Sequence, residues 1–207
     1  DCLKILALHQ PVAVDLRRVA AILKINSDLE RMADLAVNIA ERAAALARGP
    51  EVLVPGTFRQ MTDLTNTMVR DSLDAFVNID VALARRVCRM DDEVDRYNRE
   101  IIDQVTQFMK QSPNNVDAGL HLFSAARQLE RIADHATNIA EDVVYMVEGK
   151  IIRHHPEALD TGAPHAIHRL DDRAVRQSRV GLEVERLVGP GTERVAEGIL
   201  EPGGGHT

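Results

Sequence analysis

"LERMADLAVNIAE" at residues 29–41 and "LERIADHATNIAE" at residues 129–141 are one phrase written twice, 100 positions apart, with ten of thirteen letters shared. Each copy sets a Glu and an Asp four residues apart: Glu30 with Asp34, and Glu130 with Asp134. On an α-helix such residues lie about 40° apart in projection, so they share a stripe. Asn138 and Glu141 continue that stripe, while Leu129, Ile132, Ala136, Ile139, Val143 and Val147 gather on the other side. The phrase is therefore an amphipathic helix whose acids face away from its apolar side, and its repetition implies a duplicated helical unit.

Composition points the same way. The chain has 207 residues, 45% hydrophobic and 28% charged, the balance of a globular protein. Aromatics make up only 3% and Trp is absent, while Ala, Leu, Glu and Arg are abundant, a mixture that favours helices over sheets. The fold class expected is all-α. A net charge of -7 argues against a broad electrostatic grip on nucleic acid. Cys2 and Cys88 form no C-x-x-C pair, so neither a disulfide framework nor a thiolate zinc site is expected, and both read as small buried residues. No run approaches the roughly 18 apolar residues of a spanning helix, and no charged-then-apolar leader opens the chain, so a cytoplasmic location is expected.

Punctuation divides the chain. Helical spacing runs from Pro11 to about Ala47, with Pro11 suited to a first turn. Gly49, Pro50, Pro55 and Gly56 mark a linker at 49–56. Helices follow at 57–78 and 80–111, the second with Asp80 as N-cap; then "QSPNN" offers Ser112 as a cap before a helix ending at Gly149. Residues 57–150 thus form one complete three-helix unit. Residues 1–48 match only the end of its middle helix and its last helix, so a missing front is expected, an expectation that Asp1 in place of Met encourages. Residues 151–207 read as a mobile extension, since eight of the twelve glycines and five of the eight histidines fall between 154 and 207.

A third acidic cluster, "RMDDEVDR" at 89–96, repeats the four-residue spacing in Asp91 and Asp95, which flank their helix's apolar stripe. If the two helices pack side by side, Asp91, Asp95, Glu130 and Asp134 converge on a hard cation, since all-oxygen sites suit Mg²⁺, Mn²⁺, Ca²⁺ or iron. Without the cation, like charges so close repel. The competing reading is a solvated acidic face, which this spacing alone fits well. A ferritin-like buried centre is disfavoured, because no E-x-x-H occurs. Arg31 and Arg131 are expected to pair with carboxylates of a neighbouring helix rather than bind an anion, and His135 to be a half-exposed packing residue rather than a ligand. No phosphate-binding loop and no G-x-S-x-G elbow is present. An enzyme is not expected; the rival reading is a hydrolase that activates water on a surface metal cluster.

Three phrases, "LALHQPVAVDLRRVAAILKINSDLERMADLAVNIAER" (6–42), "DSLDAFVNIDVALARRVCRMDDEVDR" (71–96) and "HLFSAARQLERIADHATNIAEDVVYMVEGK" (121–150), resemble the PhoU family in content and order. The resemblance implies two tandem three-helix bundles, and metal ions (Mg, Mn, Fe or Zn) held by E(D)-x-x-x-D motifs at Glu30, Asp34, Asp91, Asp95, Glu130 and Asp134. The family's usual Gly before the last acid is Ala33 and Ala133 here. On the same basis the part of the first unit that carries partner acids for Glu30 and Asp34 lies outside this chain. The implied role is non-enzymatic: a negative regulator of phosphate signalling, a cytoplasmic homodimer linking the ATPase subunit of a phosphate ABC transporter to a phosphate-sensing histidine kinase. Its association with the membrane is through those partners.

Overall fold

The computed structural model describes residues 2–149; the expected extension at 151–207 lies outside the described residues. Five helices carry the chain: α1 (Cys2–His9), α2 (Ala13–Arg48), α3 (Thr57–Asn78), α4 (Val81–Gln111) and α5 (Val116–Glu148), with a 3-10 turn at Pro113–Asn115. No strand occurs among the described residues. Helices α2 to α5 belong to one compact unit, and α1 lies outside it.

Local chemistry sets the ends. The Asp80 carboxylate accepts a hydrogen bond from the Leu83 backbone N–H at 2.9 Å, capping α4. The Ser112 hydroxyl accepts from the Asn114 N–H at 3.3 Å at the next break. Gly149 closes α5 in the left-handed conformation, φ 68°, its N–H donating to the Tyr145 carbonyl. Ile79 takes the same conformation at φ 55° in the turn between α3 and α4, where a β-branched residue costs about 1 kcal/mol or more. One boundary differs from expectation: α2 begins at Ala13, not at Pro11. The proline disfavours helical geometry at Gln10, and Val12 stays extended, so the chain re-enters the helix two residues late.

Helices α3, α4 and α5 pack against one another as a three-helix bundle, and α2 packs on α5. Met61, Met68 and Ala75 of α3, Val87, Val94, Ile101 and Val105 of α4, and Ala133, Ala136, Ile139 and Val143 of α5 form the solvent-free core. Helix α2 joins it through Ile25, Met32, Ile39 and Leu46, a seven-residue repeat that presents one seam to a partner helix. The Lys24 ammonium pairs with the buried Asp142 carboxylate, and Asp28 lies 2.8 Å from Nδ1 of His135. The rising number on α2 meets the falling number on α5, so the two helices are antiparallel. Helix α5 touches three helices at once, which corrects the one-sided stripe read from the sequence: Ala126, Ala133, Ala140 and Val144 are also fully buried.

Candidate metal centre on the α4–α5 seam

Asp91 and Asp95 reach the seam from successive turns of α4, and Glu130 and Asp134 from successive turns of α5. Two contacts fix the pairing of the helices. Arg85 Nη2 donates to both carboxylate oxygens of Glu148, at 3.1 and 3.0 Å, near one end. In the middle the Thr137 hydroxyl donates to Asp91 Oδ1 at 3.2 Å. Arg127 donates from Nη1 to Glu130 Oε1 at 3.0 Å, while Glu130 Oε2 is buried without a hydrogen-bond partner.

Electrostatics tie the four acids together. Burial pushes the Asp91 carboxyl up to about 6, with the charges of Asp134 and Asp95 adding to the shift and the Thr137 hydrogen bond opposing it. Burial also raises Asp134, helped by Asp95 and opposed by His135, Arg127 and Arg131. Glu130 is raised by burial and by Asp134, against the pull of Arg127. One turn earlier on α4, burial drives the Cys88 thiol up to about 12, with Glu141 and Asp91 contributing, so it stays a neutral thiol and supplies no soft thiolate.

These shifts carry a sign for stability. The Asp91 proton is held more tightly in the fold than in the unfolded chain. Its contribution is fully present below about pH 4 and is lost as pH rises through 6. Asp91→Asn keeps an acceptor for Thr137 and removes the repelling charge. At pH 7 it should raise the unfolding free energy by about 1 kcal/mol after allowance for solvent screening, with the gain shrinking toward pH 4. Urea unfolding of both proteins across that range checks it; a pH-independent difference would be inconsistent with this origin.

A donor set of carboxylate oxygens, one of them buried and orphaned, suits a hard cation. Mg²⁺, Mn²⁺ and iron fit it better than Zn²⁺, for which no thiolate or free imidazole is offered. Among the described residues no group of three or more His, Cys, Asp or Glu is assembled to hold a metal ion. The acids share a field without sharing a coordination sphere, and Arg127 supplies the positive charge at Glu130.

With this geometry in place, the PhoU domain model matches residues 1–43 and 58–143, a span that takes in both acidic phrases and the seam. The chain belongs to the PhoU family. The homologue from Deinococcus radiodurans, named as a phosphate-specific transport system accessory protein, is 42% identical over 149 residues, covering 72% of this chain and 70% of that protein. Homologues of the same name from Pseudomonas putida and Aquifex aeolicus are 40% and 42% identical. The match spans 60% and 69% of their lengths. The crystal structure of PhoU from Pseudomonas aeruginosa matches with TM-score 0.68 at 39% identity, over 72% of each chain. That of the PhoU regulatory protein from Streptococcus pneumoniae matches with TM-score 0.67 at 31% identity, over 72% of this chain and 70% of that one.

In this PhoU chain the two acidic sets stand differently. Glu30 and Asp34 are exposed on α2, whereas Asp91, Asp95 and Glu130 are half-buried on α4 and α5. The α5 acids were expected to face outward; instead Glu130 is half-buried against α4, as are Asp91 and Asp95, and only Asp134 reaches the outer lip. His135 is more buried than expected, and Asp28 engages it. Arg31 and Arg131 are both exposed, and among the described residues neither forms the expected ion pair, because no carboxylate of a neighbouring helix reaches them. Sequence reading passed over Arg127 and Thr137. Their spacing was the available signal, since 127, 130, 134 and 137 fall on one helical stripe.

Proposed function

We propose that this chain is a metal-binding adaptor that represses the phosphate-starvation response. It couples the ATPase subunit of a phosphate ABC transporter to a phosphate-sensing histidine kinase in the cytoplasm, as a homodimer held near the membrane by its partners. Membership of a family whose named relatives are accessory proteins of phosphate-specific transport is the observation that carries this reading. The α4–α5 seam supports the metal-binding part: burial raises Asp91, Glu130 and Asp134 above the ordinary carboxylate range and neighbouring acids add to it, a repulsion that a divalent ion would relieve. Asp91, Asp95, Glu130 and Asp134 would hold the ion, and the ion would supply charge that braces two helices or bridges to an anionic partner. Among the described residues no helix is long and apolar enough to cross a membrane.

The rival is a metal-dependent hydrolase, which needs a concave site around its ion. A cavity of about 380 Å³ lies at the end of α2, lined by Leu46, Ala47, Pro50 and Val52, and includes none of the four acids. That placement favours the adaptor. The test is capture of the purified transporter ATPase subunit and of the kinase's cytoplasmic region by the immobilised full chain, with and without Mn²⁺. Both should be retained, more strongly with Mn²⁺. Retention of neither would overturn the adaptor reading.

A further inference from the structure

A helix written twice in one chain can seat on a second copy of itself as readily as on its twin, unless the interface tells the two apart. The apolar half of the α2–α5 contact does not. Ile25, Met32, Ile39 and Leu46 of α2 correspond, 100 positions on, to Ala125, Ile132, Ile139 and Met146 of α5, apolar in both copies. The polar half does. Lys24 pairs with Asp142, which is 3% exposed, and Asp28 lies 2.8 Å from Nδ1 of His135, both of those side chains being largely buried. At each of these four positions the other copy carries different chemistry: Ser124 for Lys24, Gln128 for Asp28, Leu35 for His135 and Arg42 for Asp142. Two α2 helices docked in the same antiparallel register would set Lys24 against Arg42 and the Asp28 carboxylate against Leu35. Two α5 helices would set Asp142 against the Ser124 hydroxyl and His135 against the Gln128 amide. The first arrangement brings like charges together and faces a carboxylate with a leucine; the second takes the ammonium from a buried carboxylate.

We propose that the Lys24 to Asp142 and Asp28 to His135 pairs are a pairing code, which admits α2 on α5 and rejects both α2 on α2 and α5 on α5. The face of α5 that carries His135 and Asp142 thus fits one kind of partner, a helix presenting a cation and, four residues on, a carboxylate. Lys24 and Asp28 have that spacing, one turn apart on one face of α2. The apolar row supplies the attraction and the polar row the choice of partner, a use to which single polar residues in helix interfaces are put. For two copies of this chain the consequence is direct. This face of α5 stays closed to the α5 of a second molecule, and contact between copies uses other surfaces or exchanges α2 for α2.

The experiment is amide hydrogen exchange on the full chain, read separately on α2 and on α4. Lys24→Ser/Asp28→Gln gives α2 the residues of α5 at the discriminating positions, and His135→Leu/Asp142→Arg gives α5 those of α2. In both, the α2 amides should exchange about tenfold or more faster than in the wild type, while those of α4 keep their protection. Asp28→His and His135→Asp, each alone, set like residues against each other and should do the same. Together they rebuild the pair with its members exchanged, and should return α2 to within about threefold of the wild type. Wild-type protection of α2 in Lys24→Ser/Asp28→Gln would mean that the apolar row alone seats the helix, and would overturn the code. An Asp28→His/His135→Asp variant no better than its single parents would overturn it too, leaving the two residues as packing. If α4 loses protection in step with α2 in the grafted variants, recovery or its absence in the exchanged pair decides.

Discussion

Leucine in place of Ala133 should lower the unfolding free energy by about 3 kcal/mol, whereas leucine in place of Ala33 should change it by less than about 0.5 kcal/mol. The two alanines occupy the same place in the two copies of one phrase. Ala133 has no exposed surface and lies within the core where α3, α4 and α5 meet. Ala33 is exposed on α2. Extra methylenes in a packed interior force off-rotamer side chains and backbone shifts costing about 1–3 kcal/mol, and a helix interface against several neighbours has few ways to relax. At Ala33 leucine meets solvent, and its helix propensity is close to that of alanine. Urea unfolding of the two single variants decides it. Equal costs would mean that the α2 phrase is packed as tightly as the α5 phrase.

Mn²⁺ at one hundred times its dissociation constant should stabilise the wild type by about 2.7 kcal/mol, the amount mass action dictates for a ligand that binds only the fold. The pair Asp91→Asn/Asp134→Asn should lose that increment, because it removes one carboxylate from each side of the seam. The pair Glu30→Gln/Asp34→Asn should keep it, since those acids are exposed on α2 and belong to neither helix of the α4–α5 seam. Unfolding followed at fixed pH with and without Mn²⁺ measures both. If the α2 pair abolished the increment and the seam pair did not, the ion would belong on α2. The same seam pair is expected to be more stable than the wild type without metal, as Asp91→Asn is, so the two effects have opposite signs and cannot be confused with general damage.

Much of the fold was legible because its signals are local. Asp80, Ser112 and Gly149 announce helix ends by chemistry that does not depend on tertiary contacts, and all act at the breaks where the sequence placed them, although Ser112 caps the 3-10 turn before α5 rather than α5 itself. Pro11 misled because proline suits a first turn and also unwinds the residue before it, and sequence alone does not choose between the two effects. The four acids were nameable from spacing and family likeness, yet their setting was not. Whether a stripe lies in solvent or along a seam depends on how many helices surround it. Helix α5 has three neighbours, a number that no periodicity encodes. Asp28 and His135 stayed hidden for the same reason: a contact across 107 residues leaves no mark in either local pattern.

The antiparallel docking of α2 on α5 also sets a timetable. The Lys24 to Asp142 pair closes a loop of 118 residues, so the contact of α2 with α5 must wait until α5 has been made. At about 5–20 residues per second, that interval is roughly 5–25 s on the ribosome. For that time Ile25, Met32, Ile39 and Leu46 lack the α5 surface against which α2 packs. A nascent chain of this design would therefore draw a chaperone to the apolar seam of α2 until α5 covers it.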